Sequence, residues 1–141
     1  MSKQAKAKSK SKPAKAPKNP ASIVWFEIPA DDIERARTFY KKLFGWKISP
    51  FPAAVTPYFH IDTAGPDASP DGGMMERMHP THTITTYISV PSVDKGAAQV
   101  EKLGGKIHRP KTAVPQLGYF AICEDTEGNA FALWERNEKA K

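Results

Sequence analysis

Only one cysteine, Cys123, occurs in 141 residues, so no internal disulfide can form. Its solitude argues against a cross-linked secreted scaffold and favours a reducing compartment. No apolar run approaches the length of a membrane span, and the first residues hold no apolar stretch of the signal-peptide kind. Cytoplasmic localisation without membrane association is therefore expected. A Gly-rich phosphate loop, a Gly-x-Ser-x-Gly elbow and a paired Cys-x-x-Cys are also missing, which leaves nucleotide hydrolysis and serine-type catalysis without support.

Acid is absent from residues 1–20, which carry seven lysines between Lys3 and Lys18. The other 121 residues hold 14 basic and 15 acidic side chains, a net of −1, so the overall charge of +6 belongs to the tail. Lys, Ala, Ser and Pro bury too little surface to offset ordering entropy, and residues 1–21 are expected to be disordered. Residues 3–18 would bind nucleic acid without sequence preference, through phosphate contacts. A single domain is expected over 22–136, in modules 22–79 and 82–136, with a C-terminal tail at 137–141.

What the chain does contain is an internal repeat. Trp25-Phe-Glu-Ile-Pro-Ala-Asp-Asp32 is echoed 62 residues on by Tyr87-Ile-Ser-Val-Pro-Ser-Val-Asp94. Each copy runs into a helix-like segment ending in Gly-x-Lys-Ile, at Gly45–Ile48 and Gly104–Ile107. Two copies of one supersecondary unit follow, with a ligand expected where they face each other.

In the first copy the spacing predicts a strand over 23–28 closed by Pro29, then a helix capped by Asp31 and ended by Gly45. Its apolar stripe is Ile33, Ala36, Phe39, Tyr40, Leu43 and Phe44. Strands are predicted over 46–49, 57–62 and 73–78, with a loop over 64–72. The second copy predicts a strand over 83–90, a helix capped by Ser92, and strands over 106–109, 118–123 and 130–135. The order β-α-β-β-β, twice, gives an α+β fold with both helices on one face.

With Pro29-Ala-Asp-Asp-x-Glu-Arg-Ala36, Phe39-Tyr40, Phe44-Gly45-Trp46 and Asp125-x-Glu-Gly-Asn129, the chain resembles the vicinal oxygen chelate superfamily. That group includes glyoxalase I, bleomycin-resistance proteins and extradiol dioxygenases. The resemblance implies two βαβββ modules in an eight-stranded half-open barrel, and a homodimer. It also implies metal ligands on the first and fourth strands of each module. Those positions fall at Trp25, near Met75 or Glu76, at Tyr87 and at Ala132; only Glu76 is an ordinary ligand. No metal or other cofactor is expected.

The candidate ligand-binding residues are Trp25, Glu27, His60, Met75, Tyr87 and Trp134. Trp25 and Tyr87 offer an aromatic clamp, and Trp134 would close its floor beside Trp25. Glu27 shares the face of Trp25 and is the candidate catalytic acid or base. His79 and His82 form a His-x-x-His pair near Glu76, in a Pro-containing junction that would not hold both rings on one face. Cys123, among apolar neighbours, is expected to be an inert core thiol.

The expected function is binding of a small, largely apolar or aromatic molecule in a metal-free cup between the modules. Two alternatives stand beside it. One is an enzyme of the same superfamily (a lyase, isomerase or dioxygenase) with relocated catalytic ligands. The other is non-specific nucleic-acid binding through the basic tail.

Overall fold

Asp32, in extended conformation, starts the first helix by accepting a hydrogen bond from the Arg35 backbone N–H at 2.9 Å. Gly45, at φ 76°, ends it in the left-handed region that glycine adopts without penalty. Asp31 was the expected cap. Its carboxylate instead accepts from Arg77 Nε at 2.8 Å, across the module. The second helix begins at Ser92 as expected, with Ser92 Oγ accepting from the Lys95 N–H at 3.1 Å.

The computed structural model describes residues 21–52, 56–66 and 69–141. The tail expected over 1–21 lies outside them except for Ala21. The first module is β1 (Ile23–Ala30), α1 (Ile33–Phe44), β2 (Lys47–Pro50), β3 (Tyr58–Asp62) and β4 (Asp71–Glu76). The second is β5 (Thr85–Ser89), α2 (Val93–Lys102), β6 (Lys106–Val114), β7 (Gly118–Glu124) and β8 (Ala130–Arg136). The expected βαβββ order is present in both.

All eight strands form one mixed sheet in the order β2-β3-β4-β1-β5-β8-β7-β6. The two end strands do not pair with each other, so the sheet stays open. The modules join through antiparallel β1 and β5, which set Trp25 opposite Tyr87. Outside them β4 and β8 run parallel to their neighbours. The repeat in the sequence is thus a repeat in space, with β1 and β5 side by side at its centre.

Strand alternation assigns the two faces. Ile28, Ala30, Ile48, Ile61 and Met74 are buried on the helix side, with Phe26, Ala36 and Tyr40 packed around them. Val93, Ala121, Cys123 and Leu133 form the matching core under α2. Each module therefore has its own core, and both helices cover one face. Trp25, Glu27, Tyr58, His60 and Tyr87 project from the other.

Several strand limits differ from expectation. β1 continues through Pro29 to Ala30. The β1–β5 ladder stops at Glu27 opposite Thr85, while Ala30 C=O still accepts from Arg77 N–H on the β4 side. By alternation, the missing Pro29 N–H would have pointed to the unpaired side, where it costs no ladder bond. β4 begins at Asp71, not Gly73, and β6 continues through Pro110 to Val114. Proline is tolerated there because β6 is an edge strand whose register to β7 shifts twice. The C-terminal residues fold back, with Ala140 C=O accepting from Gln116 N–H at 2.9 Å.

Candidate functional site

Glu27 lies on β1, one of the two central strands, on the sheet face opposite the helices. Its two carboxylate oxygens each accept from a phenol: Oε2 from Tyr58 at 2.6 Å and Oε1 from Tyr87 at 2.8 Å. Tyr58 Oη in turn accepts from Trp25 Nε1 at 3.0 Å. A continuous chain of donors thus ends on one carboxylate, drawing on β1, β3 and β5. Burial pushes the pKa of Glu27 above its ordinary value, against the opposing pull of Tyr58, Tyr87 and Arg109. Burial and the Glu27 charge push both phenols well above their ordinary range, so each remains a donor.

Trp25 also stacks on His60, with centroids 5.8 Å apart and planes 7° from parallel. His60 Nε2 lies 3.0 Å from Asp71 Oδ2, and Asp71 Oδ1 accepts from the Thr63 N–H at 3.2 Å. Phe51 meets both Tyr58 and His60 edge-on. On the other side Phe120 lies 6.2 Å from Tyr87, with the Arg109 guanidinium 5.4 Å above its ring.

Trp25, Glu27, His60 and Tyr87 are therefore brought together. Met75 lies on the same face, paired with Tyr58 and Pro29. Trp134 also shares the face, but at its far end, paired with Phe120 and Ser89 and packed over Gly118. It belongs to that end of the sheet, not to the Trp25 cluster. An open recess of about 560 Å³ runs beside Trp25 and is bordered by Ile23, Asp62, Pro70 and Asp71. It reaches the Trp25 end of the cluster but does not lie over Glu27.

Tyr58, Asp71, Phe120 and Arg109 were not anticipated. Tyr58 had a signal in the sequence: it lies two residues before His60, hence on its face, and Gly72-Gly73 inside a strand mark a close approach. A Cβ on Gly73 would run into the Tyr58 ring, 2.7 Å from Cε1.

Strand register revises one ligand position. Trp25 pairs with Tyr87 and Tyr87 with Ala132, while on the other side Trp25 pairs with Asp71. The counterpart of Ala132 on β4 is thus Asp71, not Met75 or Glu76. The expected position lay four or five residues too far along, because the strand was placed over 73–78 and its register is set only by pairing with β1. Trp25, Tyr87 and Ala132 provide no ordinary ligand at the other three positions, so the residues present do not fit a family-type metal centre, which needs three protein ligands. Among the described residues no three His, Cys, Asp or Glu side chains converge.

The remaining candidates make local contacts of their own. His79 and His82 stack 5.5 Å apart in the junction, and His82 Nδ1 accepts from the Met78 N–H. Cys123 is fully buried, and burial pushes its thiol up to about 11. Asp125 closes the last turn by accepting from the Glu127 and Asn129 N–H groups at 2.8 and 2.9 Å. No helix among the described residues is long and apolar enough to cross a membrane.

Residues 22–55 match the family model for the bleomycin resistance protein-like N-terminal region. A glyoxylase-like domain-containing protein of Didymella fabae is 34% identical over 122 residues, spanning 83% of this chain and 95% of that protein. The anthracycline biosynthesis protein DnrV of Streptomyces peucetius is 26% identical over 133 residues, spanning 83% of this chain but only 48% of its own length. The fold matches that of a glyoxalase/bleomycin resistance protein/dioxygenase superfamily member from Vibrio splendidus 12B01, with TM-score 0.59 and 13% identity over 83% of this chain and 99% of that one. On the combined evidence of the repeat, the open eight-stranded sheet and a relative matched along nearly its whole length, the chain belongs to the vicinal oxygen chelate superfamily, among its glyoxalase-like and bleomycin-resistance-like members.

Proposed function

We propose that the domain binds a small, largely apolar or aromatic molecule on its concave face, without a resident metal. The observation that carries this reading is the Trp25–His60 stack joined through Tyr58 to Glu27. Stacked rings give a flat ligand contact area at low entropic cost, and one partly desolvated carboxylate orients it. The likeness to a protein of anthracycline biosynthesis supports an aromatic ligand, anthracyclines being fused-ring aromatics. Three ligand positions held by Trp25, Tyr87 and Ala132 support metal independence. A lone, buried Cys123 suits the cytoplasm.

The test is titration of the purified, chelator-treated protein with aromatic compounds, read by calorimetry and tryptophan emission. Trp25→Ala should weaken binding by about 1–3 kcal/mol, the usual scale for a buried aromatic anchor. Unchanged affinity in a folded variant, or binding restored only by added divalent metal, would refute the proposal.

The raised pKa of Glu27 favours a second reading, in which this carboxylate takes a proton from a bound substrate. Turnover abolished by Glu27→Gln with binding retained would establish it.

A further inference from the structure

We infer that the concave face selects ligands that donate hydrogen bonds, such as phenols, amines and ammonium groups, over carboxylates, carbonyls and ethers. This rests on the reading of that face as a small-molecule site. The argument is a count of donors and acceptors around Glu27.

The indole of Trp25 has one N–H, and Tyr58 Oη takes it at 3.0 Å. Tyr58 has one O–H, spent on Glu27 Oε2 at 2.6 Å. Tyr87 has one O–H, spent on Glu27 Oε1 at 2.8 Å. An ionised carboxylate only accepts, so both phenol protons must point at it. Every side-chain donor of this cluster is thereby consumed inside it.

What remains unspent is lone pairs. Each Glu27 oxygen keeps capacity beyond the phenol it accepts, and Tyr87 Oη retains its own. His60 extends the pattern. Its Nε2 lies 3.0 Å from an Asp71 oxygen and so carries a proton; in the neutral tautomer that this partner selects, Nδ1 is an acceptor. Glu27, Trp25 and His60 are each only partly covered by the chain and so remain within reach of a ligand.

A donor group lowered onto this floor completes the valences of Glu27. An oxyanion or ether meets only like-signed oxygens and loses its hydration without replacement. Arg109 is the nearby counter-charge; it is exposed, lies over the ring of Phe120, and its charge already acts on Glu27.

Four probes of one shape separate these cases: 2-naphthol, 2-(aminomethyl)naphthalene, 2-methoxynaphthalene and 2-naphthoate. Their dissociation constants are measured by calorimetry on the full-length protein at pH 7.5, with wild type, Glu27→Gln and Tyr87→Phe. The naphthol and the amine should bind at least about tenfold tighter than the ether and the carboxylate, as expected for one hydrogen bond to a charged acceptor. Glu27→Gln, which places an amide donor on the floor, should level the ranking. Tyr87→Phe, which frees Glu27 Oε1, should keep it.

Naphthoate or ether binding within about threefold of naphthol in the wild type would overturn the inference. A ranking retained in Glu27→Gln would do so as well. Equal binding of all four probes would sink it while leaving the small-molecule reading in place. No binding of any probe would remove both.

Discussion

Replacing Tyr58 by Phe deletes a single oxygen that serves two partners. Glu27 Oε2 loses a donor at 2.6 Å, and Trp25 Nε1 loses an acceptor at 3.0 Å. A hydrogen bond to a charged group contributes roughly 1.5–3 kcal/mol, and a stranded buried donor costs about 1–3 kcal/mol. Tyr58 is only partly buried, so water will recover some of the second loss. A net destabilisation of about 2–4 kcal/mol at pH 7 is expected. Tyr87→Phe removes a bond of the same kind to Oε1 but strands no second partner. It should cost about 1 kcal/mol less. Urea unfolding followed by circular dichroism gives both values on the full-length chain.

The pH dependence has a definite sign. Burial raises the folded-state pKa of Glu27 above its ordinary 4.5, so the carboxyl's contribution to stability is fully present below 4.5 and fades as pH rises through the folded value. Deleting the Tyr58 donor pushes the folded value higher still, which deepens the loss at neutral pH. The gap between wild type and Tyr58→Phe should therefore widen between pH 4 and pH 7. A constant gap, or a Tyr58→Phe cost no larger than that of Tyr87→Phe, would refute the relay from Trp25 through Tyr58 to Glu27.

Gly73→Ala should push the Tyr58 ring aside and cost about 1–3 kcal/mol by overpacking, with loss of the same aromatic-ligand binding that Trp25→Ala weakens; wild-type binding in that variant would show that the ring has room to move. Glu135→Ala should cost about 0.5–2 kcal/mol, because Glu135 Oε1 accepts from the Val93 N–H at 2.9 Å and so caps α2. Glu138→Ala, which breaks only an exposed pair with Arg136, is the control and should change little. A chain without residues 1–18 should lose retention on duplex DNA, since the seven lysines of the first 20 residues leave with it. For the full chain, engagement of most of those lysines gives a log–log salt slope of roughly −4 to −6, and undiminished binding by the shortened chain would show that the tail is not the contact.

The fold was legible because its signals are local. The Pro-Ala-Asp-Asp start, Gly45 and the Asp125 turn each determine a cap or a turn within a few residues, and the repeat says that whatever Trp25 does, Tyr87 does on the related strand. The errors arose where two residues compete for one task or where alternation is interrupted. Asp31 and Asp32 are equally good caps in sequence. Arg77, just beyond β4, reaches Asp31 and draws that one away. The onset of β4 was misplaced because Gly72 and Gly73 carry no side-chain pattern to alternate.

The site divides along the same line. Trp25 and Glu27 follow from alternation within one strand, Tyr87 follows from the repeat, and His60 was visible as a polar ring on a strand. Asp71 depended on inter-strand register, since the parallel β1–β4 pair sets it beside Trp25 across 46 residues of chain. A slip of four residues in that register exchanges Asp71 for Met75. The residue that links Trp25 to Glu27, Tyr58, needed a third strand to be placed. Its hydroxyl reaches Glu27 only because Gly73, between the two on β4, leaves the space open. Composition could suggest an aromatic cup, but whether its floor offers protons or lone pairs is decided by which hydroxyl faces which oxygen. That is a property of packing, and on the proposed reading it would set the ligand class more sharply than the residues at the usual metal positions do.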